Sequence, residues 1–203
     1  QQVWDLTEAD YVRMVVKKTA WYSFIAPMRI GALAAGARQS QLQALEGVAL
    51  DLGIAFQVQD DLLNLEEGRD AYGKELAGDL WEGKRTVILL HTLGCLAEAD
   101  RARARAILGR PRPEPADEAR TRLLAELEAA GELTPAGRAR LVGEGVAPKS
   151  EAEVAWLRDQ IEACQSMAHA RAFAAAHARA AGDKLANCKD FLPPSPARDF
   201  LES

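Results

Sequence analysis

No stretch of this sequence alternates apolar and polar residues with the two-residue period of a half-buried strand. Ala, Leu, Glu and Arg dominate instead, and runs of β-branched residues are almost absent, which favours helix throughout. We therefore predict an all-α fold. The 203 residues suit a single domain. A domain of this size buries roughly 70% of its unfolded surface and needs no disulfide or metal staple.

The order of the helices is predicted from the spacing of the apolar residues and from the Gly and Pro residues that separate the periodic stretches. The first helix begins at Thr7 and continues to about Tyr22, and a short apolar helix follows and ends at Gly36. The longest helix covers residues 40–63. Later helices are predicted at residues 84–97, 100–108, 117–130, 135–142, 150–161 and 167–185, with a Pro-rich break at 109–115 and a short helix after Pro194.

Charge and hydropathy exclude several classes of protein. The formal net charge is −5, which makes a general nucleic-acid-binding surface a poor fit. The longest apolar stretch, residues 47–56, is interrupted by Asp51 and is too short to span a bilayer, so we expect no integral membrane segment. Three cysteines without motif spacing and the lack of a signal-peptide pattern predict a reduced, cytoplasmic protein.

The first chemical feature is a polar face near the end of the longest helix. Its residues stand at i, i+3, i+4 and i+7: Gln57, Asp60, Asp61 and Asn64. No Lys or Arg lies within one turn of the two aspartates, and the C-terminal end of a helix disfavours negative charge. Adjacent carboxylates in this setting suit Mg²⁺, which binds one or two carboxylates together with water and phosphate oxygens. An exposed acidic helix end is the alternative interpretation.

The second feature is Lys18 in the first predicted helix. On a helical wheel it falls on the apolar stripe, between Met14, Val15 and Tyr22. Arg13 and Lys17 take the opposite face. A lysine on a core-facing stripe must extend its amine to solvent, lose its proton or meet an anion. Lys18 is therefore a candidate anion ligand, with a solvent-reaching lysine as the alternative.

The third feature is the glycine-rich segment 73–86, which contains two Gly-Lys pairs ten residues apart. The second lysine, Lys84, is predicted to open the next helix, where free backbone N–H groups favour anions. Residues 78–84 match the first seven positions of a P-loop, but Arg85 stands where Ser or Thr is required and no strand precedes the segment. A P-loop is therefore rejected.

Together these segments resemble the trans-isoprenyl diphosphate synthases, or polyprenyl synthetases, of the farnesyl and geranylgeranyl diphosphate synthase type. Residues 18–24 (KTAWYSF) are similar to the K-T segment of that family, and residues 56–64 (FQVQDDLLN) to its second aspartate-rich motif. Residues 73–86 are similar to the loop that follows this motif. The resemblance covers most of the chain.

The resemblance implies an isoprenoid synthase-like helical bundle around a deep central cavity, and a homodimer. It also implies a trans-prenyltransferase that condenses an allylic diphosphate with isopentenyl diphosphate. The implied site residues are Asp60, Asp61 and Asn64 for Mg²⁺, Lys18, Lys74 and Lys84 for the diphosphate oxygens, and Thr19 and Gln57 for the wall beside the reacting carbon. Lys18, Lys74, Lys84, Thr19 and Gln57 would form the catalytic set.

Two departures from the family pattern affect this interpretation. Asn64 stands where the commonest form of the motif has Asp, which removes one charge from the implied metal site. No first aspartate-rich motif lies between Gln1 and Lys18. We therefore expect residues 1–203 to be the C-terminal part of one polyprenyl synthetase domain, incomplete at its N-terminus and inactive by itself. A class I terpene cyclase on the same fold, or a non-catalytic partner subunit of a prenyltransferase, are the alternatives.

Overall fold

The computed structural model describes residues 4–66, 77–113, 115–142, 146–196 and 198–199. Every regular element within these ranges is a helix, which confirms the all-α prediction. The elements are α1 (Glu8–Val15), a π-helical segment (Val16–Ile25), α2 (Ala26–Ala34), α3 (Gln39–Leu65), α4 (Gly78–Glu82), α5 (Val87–Cys95), α6 (Glu98–Leu108), α7 (Pro115–Ala129), α8 (Pro135–Val142), α9 (Glu151–Ala163) and α10 (Ser166–Ala186).

The first predicted helix is not a uniform α-helix. Thr7 caps α1, and its side chain and that of Asp10 form a reciprocal capping box. From Val16 the backbone continues as a π-helix, whose bonds join residues five apart. The buried residues Val15, Ala20 and Ile25 follow this five-residue spacing rather than the 3.6-residue period of an α-helix.

The π-helical segment overturns the predicted placement of Lys18. A π-helix has more residues per turn than an α-helix, so the helical wheel of an α-helix does not describe this segment. Lys18 is exposed and does not face the core. Met14 and Tyr22, which were expected beside it on the apolar stripe, are 41% and 72% exposed. Lys17, predicted on the opposite face, lines the same open surface depression as Lys18.

The segment between α3 and α5 also differs from the prediction. A short helix, α4, occupies residues that were expected to form an irregular loop, and Gly83 ends it with a φ of +65°. The next helix begins at Val87 rather than at Lys84, because the Thr86 side chain accepts a hydrogen bond from the backbone N–H of Leu89 and so caps it. Lys84 therefore precedes α5 and does not open it.

The core lies along α3, which packs between the π-helical segment and α10. Fully buried side chains from several helices meet there, among them Val58, Leu62, Leu80, Ile88, Leu108 and Leu157. By contrast α2 buries none of its residues, although Ile30 and Leu33 are apolar. The short apolar helix predicted to end at Gly36 thus lies at the surface.

None of the helices in the described residues has both the length and the hydropathy that a membrane-spanning segment requires.

Candidate active site

Three of the residues singled out in the sequence meet in one hydrogen-bonded chain. Asp61 is buried near the end of α3, and its Oδ1 accepts a hydrogen bond from Gln57 Nε2 at 3.0 Å. Gln57 Oε1 in turn accepts one from the Thr19 hydroxyl of the π-helical segment at 2.7 Å. The structure therefore brings the K-T segment and the aspartate-rich motif together.

The network contains one residue that the sequence gave no reason to select. Tyr11 of α1 is 2% exposed, and its hydroxyl donates a hydrogen bond to Asp61 Oδ2 at 2.7 Å. The only sequence signal was an aromatic residue on the apolar face of the first helix, which equally describes a core residue. Both oxygens of the Asp61 carboxylate thus accept hydrogen bonds from neutral groups.

The surroundings of Asp61 disfavour its negative charge. Burial raises the pKa of this carboxyl group to about 6, although the hydrogen bonds from Tyr11 and Gln57 act in the opposite direction. The negative charges of Asp79 and Asp60 raise the pKa further. Burial and the Asp61 carboxylate also raise the pKa of Tyr11 above its ordinary value, so its hydroxyl remains a donor at neutral pH. A cation bound beside Asp61 would relieve this unfavourable charge.

Asn64 and Lys84 belong to a second group of contacts, at the start of α4. Asn64 Oδ1 accepts a hydrogen bond from the backbone N–H of Asp79 at 2.9 Å. The backbone carbonyl of Asn64 accepts a hydrogen bond from the backbone N–H of Ala77 at 3.0 Å. The amide oxygen of Asn64 is thus engaged by α4. Its predicted role as a metal ligand remains a prediction.

Asp79 is, after Tyr11, the second residue of the site that the sequence interpretation left without a role. It is buried, and its Oδ1 accepts a hydrogen bond from Lys84 Nζ at 2.5 Å. Burial lowers the pKa of Lys84, but the hydrogen bond and charge of Asp79 outweigh this and leave the pKa above its ordinary value. Lys84 is therefore held as a cation beside α4. Lys74, its predicted companion, lies outside the described residues.

Lys18 lies with other cationic residues at an open surface depression of about 440 Å³, lined by Arg13, Met14, Lys17 and Lys18. The wall of this depression therefore carries three basic side chains where the sequence interpretation expected one. Such a wall suits an anionic ligand, since several cations acting together stabilise a multiply charged group more than one does.

The adjacent aspartates near the end of α3 could supply part of the coordination shell of a Mg²⁺ ion. Among the described residues, no three His, Cys, Asp or Glu side chains form a cluster that could hold a metal ion by themselves. Asp60 is exposed and directly precedes the buried Asp61, so the pair offers carboxylate oxygens at one helix end. Mg²⁺ commonly uses one or two carboxylates and completes its shell with water and phosphate oxygens. The residues fit a Mg²⁺ ion shared with a phosphate-bearing ligand, and not an all-protein cage.

The family model described as polyprenyl synthetase matches residues 1–126, more than half of the chain. The chain belongs to the polyprenyl synthetase family. One relative, the short chain isoprenyl diphosphate synthase of Methanothermobacter thermautotrophicus, is 36% identical over 105 residues, which are 52% of this chain and 32% of the relative. The geranylfarnesyl diphosphate synthase of Natronomonas pharaonis is 46% identical over 87 residues, 43% of this chain and 25% of the relative.

Solved structures of polyprenyl synthetases share the fold. The decaprenyl diphosphate synthase of Rhodobacter capsulatus matches with a TM-score of 0.66 at 22% identity, over 98% of this chain and 48% of that one. The geranylgeranyl pyrophosphate synthase of Corynebacterium glutamicum, solved with isoprenyl diphosphate and magnesium, matches with a TM-score of 0.67 at 22% identity, over 97% and 44%. The predicted isoprenoid synthase-like fold is thereby confirmed. The chain spans about half the length of these solved relatives.

The raised pKa of Asp61 predicts a measurable dependence of stability on pH. Its pKa of about 6 in the folded state exceeds the ordinary value of 3.8, so between these pH values the folded state binds more protons than the unfolded state. The contribution of Asp61 to the free energy of unfolding is therefore present at low pH and falls by about 3 kcal/mol as pH rises through this window.

We expect this fall in the metal-free wild type relative to Asp61→Asn, which does not titrate. Urea unfolding followed by circular dichroism, at half-unit steps from pH 4 to pH 7 with EDTA present, measures the difference. A difference that stays constant across the window, or that rises with pH, contradicts the proposed environment of Asp61.

Proposed function

We propose that this chain carries the diphosphate-binding part of a trans-prenyltransferase site, which condenses an allylic diphosphate with isopentenyl diphosphate to a longer polyprenyl diphosphate. The observation that carries the proposal is the chain of hydrogen bonds from Thr19 through Gln57 to the buried Asp61. It joins the two segments whose residues resemble the substrate-binding motifs of this family. The resemblance and the geometry therefore support the same site.

In this proposal Asp60 and Asp61 hold Mg²⁺ against the allylic diphosphate, with Asn64 beside them. The ion supplies charge stabilisation for the departing diphosphate. When the carbon–oxygen bond of the allylic substrate breaks, the diphosphate leaves with the bonding electron pair. The double bond of isopentenyl diphosphate then attacks the allylic cation and gives a new carbocation, which loses a proton to the departed diphosphate and so becomes the product.

The basic residues have a complementary role. Lys18, Lys74 and Lys84 are proposed to contact the diphosphate oxygens, where preorganised cations stabilise developing negative charge. The contact of Lys84 with Asp79 restricts its position before any ligand arrives. Thr19 and Gln57 are proposed to line the wall next to the reacting carbon, which the hydrogen bond between them would hold in one arrangement.

The names of the relatives support this choice of reaction class. The curated relatives include short chain isoprenyl, geranylfarnesyl and geranylgeranyl diphosphate synthases. One structural neighbour was solved with isoprenyl diphosphate and magnesium. We propose that the chain uses the same ligand classes, and that by itself it does not turn over. Its sequence has one adjacent pair of aspartates, and it spans about half of the solved relatives.

A partner-subunit function is the second candidate. Among the described residues, no three His, Cys, Asp or Glu side chains form a metal cluster by themselves, which is compatible with a subunit that completes the site of another synthase chain. Co-purification with a longer synthase chain, followed by assay of the mixture, distinguishes a subunit that tunes its partner from one that supplies the Asp60–Asp61 pair.

The proposal predicts that Lys18→Met weakens the binding of inorganic pyrophosphate to this chain in the presence of Mg²⁺. The loss of a hydrogen bond to a charged group costs about 1.5 kcal/mol or more. We expect roughly tenfold weaker binding, measured by isothermal titration calorimetry at constant ionic strength.

Lys189→Met is the matched control, because Lys189 is also exposed but lies beyond α10. It is expected to leave the affinity within twofold of the wild type. Equal weakening in the two variants would indicate general charge attraction and no diphosphate site at Lys18. Wild-type binding that is the same in EDTA as in Mg²⁺ would contradict the role given to the aspartates.

A further inference from the structure

The hydroxyl group of Tyr11 is not required for the packing of α1 against the core. It lies on α1, fifty residues before Asp61 in the chain, and is 2% exposed. Burying a hydroxyl group is unfavourable unless the group is hydrogen-bonded, and phenylalanine would fill the same volume without that cost. The hydroxyl donates to Asp61 Oδ2 at 2.7 Å. The contact therefore points to a role for the hydroxyl at the carboxylate.

The two oxygens of Asp61 are held in different ways. Oδ1 accepts a hydrogen bond from Gln57, and Gln57 accepts one from the Thr19 hydroxyl. Two hydrogen bonds in series therefore fix the position of Oδ1. Oδ2 is contacted by Tyr11. Together these contacts restrain rotation of the carboxylate about its terminal bond. Each carboxylate oxygen can accept more than one contact, so both retain capacity to bind a cation.

We propose that Tyr11 is a positioning residue for metal binding: its hydroxyl holds the Asp61 carboxylate in the orientation that binds Mg²⁺ together with a diphosphate. The inference rests on the proposed function and adds a residue to it. Groups that orient a metal ligand change metal affinity by roughly tenfold to a hundredfold when removed, although they do not touch the ion. Tyr11 would act in this way from a helix outside both resemblance motifs.

Tyr11→Phe in the 203-residue chain tests the inference, since it removes the hydroxyl and keeps the ring. We expect the Mg²⁺ concentration for half-maximal pyrophosphate binding to rise about tenfold. At saturating Mg²⁺ the affinity for pyrophosphate should return to within about twofold of the wild type, because the diphosphate contacts themselves are unchanged. A structural role alone would not shift the metal dependence while preserving the saturated affinity.

Two further variants keep the test decisive. Thr92→Val is the matched control, because Thr92 is also buried and its hydroxyl is hydrogen-bonded, to Ile88 and Ser166, outside the proposed site. It should change neither quantity. Thr19→Val removes the hydrogen bond that holds Gln57 against Asp61 Oδ1. It should also raise the Mg²⁺ concentration for half-maximal pyrophosphate binding, which provides a second test if Tyr11→Phe is hard to purify.

The outcomes separate the two levels of the proposal. Unchanged Mg²⁺ dependence in Tyr11→Phe, with normal binding by the wild type, overturns the positioning role and leaves the proposed function standing. An equal shift in Thr92→Val also overturns it. Absence of any Mg²⁺-dependent pyrophosphate binding by the wild type contradicts both the proposed function and the inference that rests on it.

Discussion

Asp61→Ala is expected to abolish Mg²⁺-dependent pyrophosphate binding by this chain and to lower the turnover of any competent longer chain that contains it by about three orders of magnitude. That loss corresponds to about 4 kcal/mol of transition-state stabilisation. The effect is large because the buried carboxylate is proposed as a direct ligand of the ion that neutralises the departing diphosphate.

The stability of the fold should change far less than the activity. Alanine leaves the Tyr11 hydroxyl and the Gln57 amide without their acceptor, which is unfavourable. It also removes a carboxylate whose charge is disfavoured by burial, which is favourable at neutral pH. These effects oppose each other, so we expect the free energy of unfolding to change by no more than about 2 kcal/mol.

The measurements are calorimetric binding of pyrophosphate with Mg²⁺, steady-state turnover in the longer chain, and urea unfolding of each variant. Asp100→Ala is the matched control, since Asp100 is exposed on α6. It should leave binding and turnover at the wild-type level. Turnover of Asp61→Ala within tenfold of the wild type would remove Asp61 from the metal site. Condensation by the 203-residue chain alone would contradict its proposed dependence on further residues.

Local sequence patterns were sufficient to predict most helices and one side of the site. Gln57 and Asp61 are four residues apart, so helical geometry alone places them on one face, and their hydrogen bond confirms that placement. The capping box at Thr7 follows in the same way from neighbouring residues. Such features depend on the nearest turn of helix and require no knowledge of the tertiary structure.

Features that depend on distant packing could not be derived in this way. The hydrogen bond of Tyr11 to Asp61 joins residues fifty positions apart, and no sequence period relates them. The exposure of Lys18 follows from the π-helical segment, which no residue preference in that stretch distinguishes from an α-helix. The contact of Asn64 with Asp79 likewise depends on how the chain returns after α3.

Gly53 is a residue at which a single added methyl group is expected to destabilise the fold. It lies on α3, where a Cβ atom would stand 2.5 Å from Ala20 Cβ and 2.8 Å from Ala20 Cα of the π-helical segment. The second contact is with backbone, so relief requires the two helices to separate. Alanine is favoured over glycine in a helix by about 1 kcal/mol, but overpacking of this kind costs more. We expect a net loss of about 2 kcal/mol of unfolding free energy.

The same substitution in α10 should have the opposite sign. A Cβ atom on Gly182 would meet nothing within 4 Å, so Gly182→Ala should gain up to about 1 kcal/mol from helix propensity. Thermal unfolding measures both, with an expected fall of about 4–8 °C for Gly53→Ala and a small rise for Gly182→Ala. Since Ala20 adjoins Thr19, separation of the helices should also lengthen the contact of Thr19 with Gln57 and weaken pyrophosphate binding. Stabilisation by Gly53→Ala would show that the two helices do not approach each other this closely.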